Sequence, residues 1–219
     1  MHKRSWFLFG LVGLLWGIPY MFIKVAGETF TPATVVFGRV LIGSAILIPL
    51  ALRQGTLFSA FKGIKYVILY AFAEMVGPWY LITTAEHKIS SGLAGLLVAT
   101  VPIWATIFAS INGDKTVWHS QRLFGIVIGF IGVFALVGIE SFSGNSSLTS
   151  IAMVLISAIL YSYAVNMITT KLPDTSGLAI NAVAMAVTAI FFAPFAIAQW
   201  PEGAIPTKAS VSLISLVIC

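Results

Sequence analysis

Three ionisable side chains, Arg39, Glu74 and Lys24, lie within or at the end of long apolar segments. A charge in such a segment is costly, so each is a candidate for binding a ligand or a partner charge. Arg39 could hold an anionic group, or it could form a structural ion pair with Glu74. Glu74 could also bind a proton, because a carboxylate in a medium of low dielectric favours its protonated form. Lys24 could reach a cavity or extend its amine to a membrane surface.

Two aromatic side chains share a helix face with Lys24. Trp16, Tyr20 and Lys24 recur at every fourth position, which places them on one side of a helix. Two aromatic rings and a cation on one face could enclose a small polar organic molecule. Ordinary packing between helices is the alternative explanation. We include all three residues among the candidates for a cavity.

Helix-breaking and amide residues supply further candidates. Trp79 follows Gly77-Pro78, and Pro102 interrupts a later apolar segment. A proline within a span leaves a backbone carbonyl without its usual partner, which is tolerated where protein or a cavity satisfies it. Asn166 could line the same cavity or hydrogen-bond a neighbouring helix. Small residues also recur every fourth position, as in Gly125 and Gly129, and could bring helices together within the chain or in a homodimer.

The composition identifies lipid as the solvent of these segments. The chain is 59% hydrophobic and only 9% charged, with a mean hydropathy of +1.01. The net charge of +5 has no accompanying basic stripe with interleaved aromatic residues, which argues against a nucleic-acid partner. The sequence contains no GxxxxGK[ST], HExxH or GxSxG motif. We therefore expect no enzyme, catalytic residue, metal site or cofactor.

Seven segments are long and apolar enough to cross a membrane, and an eighth begins near residue 209. The seven segments are 6–26, 32–52, 66–84, 90–112, 121–139, 149–170 and 176–199. Eight lysine and arginine residues fall on the side of the N-terminus, and the other side has Lys88 and Lys208, or three lysines if Lys24 is counted there. This distribution predicts a multi-pass protein of the plasma membrane (the inner membrane of a bacterial cell) with a cytoplasmic N-terminus.

The segments also suggest a repeat with an offset of 145 positions. Pro49 corresponds to Pro194, and Trp16 corresponds to Tyr161. The pattern divides the chain into a first repeat at 1–140, with five spans, and a partial second repeat at 149–219. Because each unit has an odd number of spans, the second unit must begin on the opposite side of the membrane. We expect inverted repeats, an arrangement that many secondary transporters share.

Several stretches together resemble the EamA-type drug/metabolite transporter family. They are GLLWGIPYMFIKVAG, TPATVVFGRVLIGSAILIPLAL and the long run from HKISSGLAGLLVATVPIW to GFIGVFALVG. The resemblance implies an all-α integral membrane protein, a multi-span helical bundle of inverted five-span repeats whose second repeat is incomplete here. Asp114 stands where the family usually has a glutamate after Gly113. The resemblance carries site roles to Trp16, Gly17, Lys24, Arg39, Pro102 and Asp114.

The function that the resemblance implies is secondary transport, not driven by ATP, of amino acids or similar small metabolites, usually as export. The expected partners are a small-molecule substrate, the lipid bilayer and a coupling proton. Alternating access would move the two repeats around a central cavity. The alternative is a C-terminally truncated, non-transporting membrane protein that acts at most in binding or assembly.

Overall fold

The structure is a computed structural model that describes residues 18–113, 124–129, 131, 132, 135, 147–201 and 205–215. Within these residues the chain forms helices joined by short turns, and it forms no strand. The prediction of an all-helical, multi-span membrane protein is confirmed. Five helical stretches are long and apolar enough to cross a membrane, and each of them falls on one of the predicted segments.

The first half of the described chain contains six α-helices. They are α1 (Ile18–Gly27), α2 (Pro32–Arg53), α3 (Ile64–Tyr70), α4 (Gly77–Ala85), α5 (Ser91–Val98) and α6 (Val101–Ile111). A 3₁₀ helix at Leu57–Gly63 precedes α3, and a π-helical turn at Ala71–Val76 joins α3 to α4, so that one continuous stretch runs from Leu57 to Ala85. The predicted span 90–112 is divided at Ala99 and Thr100, just before Pro102 in the first turn of α6.

The second half contains α7 (Leu148–Lys171), α8 (Gly177–Ala198) and α9 (Thr207–Ser215). The predicted span 121–139 is helical at 124–129, and its remainder lies largely outside the described residues. The same holds for the beginning of the first predicted span, so Trp16 and Gly17 are outside the described residues, as is Asp114. The division into two repeats stays a prediction.

Local sequence signals explain where the helices begin. The Thr31 hydroxyl accepts a hydrogen bond from the Thr34 backbone N–H at 3.4 Å, and Pro32 occupies the first turn of α2. The Ser90 hydroxyl likewise accepts from the Leu93 N–H at 3.1 Å and caps α5. Such caps satisfy backbone donors that a helix start would otherwise leave without a partner in an apolar surrounding.

Two long helices, α2 and α8, pack along each other, and α7 contacts α3, α4, α5 and α6. The approach of α2 to α8 is close at Gly43, where a Cβ atom would lie 2.6 Å from the Met185 Sδ atom. A small residue at this point lets two helix backbones come together, as is common between spans. These contacts surround a central space between the helices.

Hydroxyl side chains in the spans mostly bond within their own helix. The Thr83 hydroxyl donates to the Trp79 carbonyl at 2.7 Å, and the Thr188 hydroxyl donates to the Ala184 carbonyl at 2.8 Å. The Ser157 hydroxyl does the same toward the Met153 carbonyl at 2.8 Å. Each of these donors reaches the carbonyl four residues earlier, which satisfies the hydroxyl without a second helix.

Candidate functional site

A cavity of about 270 Å³ lies between α1, α2, α4, α5, α6 and α7. We call it the central cavity. Among the described residues, its polar and aromatic lining consists of Tyr20, Arg39, Glu74, Trp79 and Tyr161. The rest of the lining is apolar and is formed by Pro19, Ile23, Ile82, Val98, Val101 and Val165. A mostly apolar wall with a few polar groups is the usual construction of a site for a small organic ligand.

Arg39 and Trp79 meet in this cavity. Arg39 projects from α2, and its Cζ atom lies over the Trp79 ring at 3.8 Å from the ring centroid. The negative face of the indole attracts the guanidinium, which contributes about 0.5–2 kcal/mol depending on how far the pair is removed from water. A guanidinium carries its N–H donors in one plane, the geometry that a carboxylate or phosphate fits.

Glu74 belongs to the π-helical turn, and Pro78 explains why the turn forms there. A proline four residues after Glu74 cannot donate to the Glu74 carbonyl, and its ring would collide with that carbonyl in a regular α-helix. The chain instead forms wider hydrogen bonds, such as the one that the Gly77 N–H donates to the Phe72 carbonyl. Single π turns within helices occur frequently at functional sites. Here the turn carries Glu74 at the cavity wall.

One oxygen of the Glu74 carboxylate, Oε2, is buried without a hydrogen-bond partner among the described residues. A buried carboxylate oxygen without a partner is unfavourable unless a proton, a cation or a ligand donor reaches it. Glu74 therefore offers the central cavity an acceptor for such a group.

Two tyrosines bring further hydroxyl groups to the same place. The Tyr161 side chain lies beside Trp79, whose indole N–H can only donate a hydrogen bond, so the Tyr161 oxygen would be the acceptor. Tyr161 also interacts electrostatically with Tyr20, Glu74 and Arg39. The five polar and aromatic groups thus form one cluster, with one cation and one carboxylate at a shared wall.

The structure brings together four of the eight cavity residues that the sequence suggests: Tyr20, Arg39, Glu74 and Trp79. Lys24 lies one turn further along α1, where its Nζ donates to the Ile89 carbonyl at 3.4 Å, and it lines a separate, smaller cavity. Asn166 accepts a hydrogen bond from the Asn112 amide and does not line the central cavity. Pro102 is exposed in the first turn of α6. Trp16 lies outside the described residues.

Tyr161 is the polar lining residue that the sequence reasoning did not select. Its signal was present, because Tyr161 is the counterpart of Trp16 in the repeat alignment. The same offset relates Tyr20 to Val165, and both of these residues line the central cavity. The remaining aliphatic residues of the wall have no distinguishing sequence signal.

A family model described as the EamA-like transporter family matches residues 4–138. This chain belongs to the EamA-like transporter family. The matched region contains four of the five polar and aromatic residues of the central cavity, all except Tyr161.

Curated relatives of this EamA-like chain carry transporter names. It is 28% identical over 133 residues to the "Uncharacterized inner membrane transporter YedA" of Escherichia coli, a match that covers 60% of this chain and 43% of the relative. It is 26% identical over 144 residues to the "Uncharacterized transporter YdfC" of Bacillus subtilis, covering 66% of this chain and 46% of the relative. It is 30% identical over 164 residues to "Protein PagO" of Salmonella typhimurium, covering 70% of this chain and 52% of the relative.

The chain spans about half the length of the curated relatives it matches. No solved structure matches it. The family name and the names of most of these relatives agree on a transporter role in a membrane.

Proposed function

We propose that this EamA-like chain mediates secondary transport of small metabolites that carry a carboxylate beside an apolar body, such as amino acids. The observation that carries the proposal is the central cavity, in which the Arg39 guanidinium lies against Trp79 within a largely apolar wall. Export is the direction that we expect from the family resemblance.

The charge of Arg39 supports the choice of an anionic group. A guanidinium in a confined, apolar site binds a carboxylate by charge-assisted hydrogen bonds, which are shorter and stronger than neutral ones. The aliphatic residues Val98, Val101 and Val165 would face the rest of the molecule. Such a cavity would favour a substrate with one charged end and one apolar end.

Glu74 is the group that we propose for coupling to a proton. Its buried Oε2 has no hydrogen-bond partner among the described residues, so a proton can satisfy it when the substrate is absent. A substrate ammonium group could take the place of that proton. The substrate and the proton would then compete for one carboxylate, and such competition is required for the coupled exchange of a substrate for a proton.

The proposed mechanism is alternating access by inverted repeats, and two features support it. The helices that correspond in the repeat alignment, α2 and α8, pack along each other, and each contains a proline, Pro49 and Pro194. Tyr20 and Val165 also correspond, and both line the central cavity. A site formed by equivalent helices of two repeats can be exposed to either side when the repeats move against each other.

For the orientation in the cell, we propose the cytoplasmic N-terminus that the charged loops predict. Lys62 lies in the 3₁₀ helix that follows α2, Lys65 lies in the first turn of α3, and Lys171 is the last residue of α7. The relative YedA is named as an inner membrane transporter, which supports the inner membrane as the location.

Transport is tested with the full-length protein in proteoliposomes that are loaded with labelled amino acids and small carboxylates. We expect efflux of at least one compound that has a carboxylate, and faster efflux when an opposing proton gradient is imposed. Arg53, exposed at the end of α2, provides a matched control, since Arg53→Gln should keep the flux that Arg39→Gln loses.

The absence of flux for every compound in the panel would contradict the proposal. Retained binding without flux, measured by calorimetry on the same protein, would favour the alternative of a non-transporting binding protein. Selective flux of organic cations would overturn the role assigned to Arg39.

A further inference from the structure

A second cavity, of about 150 Å³, lies at the end of the bundle where α1 and α4 finish. Four ionisable side chains line it: Lys24, Glu28, Glu86 and His87. Glu86 follows the last residue of the span Leu57–Ala85, in the turn that leads to α5. This cavity shares Ile23 with the central cavity but contains none of the polar residues of that cavity.

Glu86 is the unusual member of this group. Its side chain is only 2% exposed, whereas Lys24, Glu28 and His87 are exposed. Both of its carboxylate oxygens are buried and have no hydrogen-bond partner in the part of the chain that the structure describes. An enclosed carboxylate without donors is strongly unfavourable as an anion, and this argues for a neutral, protonated form.

The neighbouring charges do not neutralise Glu86 by direct contact. The Lys24 Nζ donates to the Ile89 carbonyl at 3.4 Å, while neither oxygen of Glu86 accepts a hydrogen bond from it. The His87 ring packs on the backbone of Gly27, where a Cβ atom would lie 3.2 Å from its Cε1 atom. Glu28 brings a like charge from α1, and the Tyr20 phenol is a further electrostatic neighbour.

Burial raises the pKa of Glu86 to about 8, and the positive charge of Lys24 lowers it in part. The direction agrees with the geometry, because removal from water disfavours the charged form of a carboxyl group. The carboxyl of Glu86 would then change its charge near neutral pH.

We propose that Glu86 is a proton-binding site, separate from the central cavity, whose occupancy determines the partner of Lys24. With the proton bound, the neutral carboxyl remains enclosed, and Lys24 bonds to the Ile89 carbonyl. When the proton leaves to solvent through the second cavity, the new carboxylate attracts the Lys24 ammonium away from Ile89. Lys24 belongs to α1, and Ile89 lies in the turn between α4 and α5. The change of partner would therefore alter the contact between α1 and this turn.

The test measures the thermal unfolding midpoint of the purified full-length protein in detergent between about pH 5 and pH 9. The pKa of Glu86 is raised to about 8 in the folded protein, whereas in the unfolded chain it has the ordinary glutamate value of 4.5. The stabilisation is therefore complete below pH 4.5 and is lost as the pH rises through 8. Against Glu86→Gln, the wild-type midpoint should fall by about 8–16 °C across this range, since each pH unit between the two pKa values changes the stability by about 1.4 kcal/mol.

Two further variants make the result specific. Asp174→Asn removes an exposed carboxylate and should leave the wild-type pH dependence intact. Lys24→Gln removes the neighbouring positive charge and should move the decline to higher pH, a readout that does not require Glu86→Gln to fold. Contributions from other carboxylates, including Glu74, cancel in the difference between the wild type and Glu86→Gln.

Parallel curves for the wild type and Glu86→Gln would overturn the proposal. The identification of the proton as the ligand would be wrong if the wild-type curve of unfolding midpoint against pH shifted when Na⁺ replaces K⁺ at constant ionic strength. Neither measurement depends on transport, so the failure of this proposal and the failure of the proposed function are distinguishable.

Discussion

The guanidinium carbon of Arg39 lies 3.8 Å from the centroid of the Trp79 ring. The pair joins α2 to α4 at the wall of the central cavity. A positive charge in a span needs such a partner, and an aromatic face provides attraction without neutralising the charge. The pair thus places a positively charged group at the wall that an anionic ligand would meet.

Substitution of Arg39 tests this arrangement. We expect Arg39→Gln to raise the KM for a carboxylate substrate by about 10- to 100-fold, because a charge-assisted hydrogen bond contributes about 1.5–3 kcal/mol. Transport kinetics in proteoliposomes measure the change. Arg53→Gln on the same helix should leave the KM unchanged, and an equal effect of both substitutions would contradict a specific role for Arg39.

Substitution of Pro78 tests the π-helical turn. Pro78→Ala supplies a backbone N–H that can donate to the Glu74 carbonyl, so the turn can become regular α-helix. An α-helical turn holds one residue fewer than the π-helical turn that it would replace. The change therefore rotates the Glu74 side chain by about 100° relative to α4. We expect flux to fall at least about tenfold without a loss of thermal stability, since alanine favours a helix more than proline does.

Thiol labelling reports the rotation directly. Glu74→Cys should react with a cavity-permeant reagent, and the added substitution Pro78→Ala should slow that reaction. Pro49→Ala, in α2, is the matched control, because Pro49 is exposed and does not line the central cavity. Equal labelling rates with and without Pro78 would show that the turn does not depend on this proline.

Substitution of Gly95 tests whether the position of the Tyr20 ring matters for substrate binding. A Cβ atom at Gly95 would lie 3.4 Å from the Tyr20 Cδ2 atom, and the larger Gly95→Val would displace the ring into the central cavity. We expect a severalfold rise in KM and a loss of about 1–3 kcal/mol in the free energy of unfolding. Gly92→Val on the same helix is the control, since only the Ser90 Oγ lies near it, at 3.9 Å.

The hydrogen bond between Tyr70 and Asn181 predicts a stability effect without a transport effect. The Tyr70 hydroxyl donates to the Asn181 Oδ1 atom at 3.3 Å and links α3 to α8, away from the central cavity. Tyr70→Phe should lower the free energy of unfolding by about 0.5–1.5 kcal/mol and leave the KM unchanged. Chemical denaturation measures the difference. Tyr80→Phe, at a side chain that is 43% exposed, should have a smaller effect.

Much of the fold follows from the sequence because lipid imposes a strict length and composition on a span. The described helices α2, α7 and α8 coincide closely with predicted segments, and capping residues such as Thr31 mark their starts. The stretch from Leu57 to Ala85 was less predictable. Gly77-Pro78 indicated a break, but the distortion forms one turn earlier, at the carbonyl that the proline leaves without a partner.

Residues of the candidate site were predictable from the sequence where a charged side chain lies in an apolar segment, because such a charge is energetically unfavourable in lipid. Arg39 and Glu74 stand out for that reason, and both line the central cavity. Lys24 and Asn166 stand out equally, yet local partners, the Ile89 carbonyl and the Asn112 amide, bind them elsewhere. The presence of such partners depends on how helices pack, which a single sequence does not specify. Valine residues of the wall, such as Val98, resemble those that face lipid.

The hydroxyls of Thr83, Ser157 and Thr188, each bonded to a carbonyl of its own helix, affect how the protein enters its membrane. Since each helix satisfies these groups before it meets a neighbour, a nascent span presents the bilayer with less polarity than its residue types imply. Insertion of individual helices and their later assembly can therefore be separate events during biosynthesis. The ionisable groups Arg39, Glu74 and Glu86 would then become enclosed only in the second of these events.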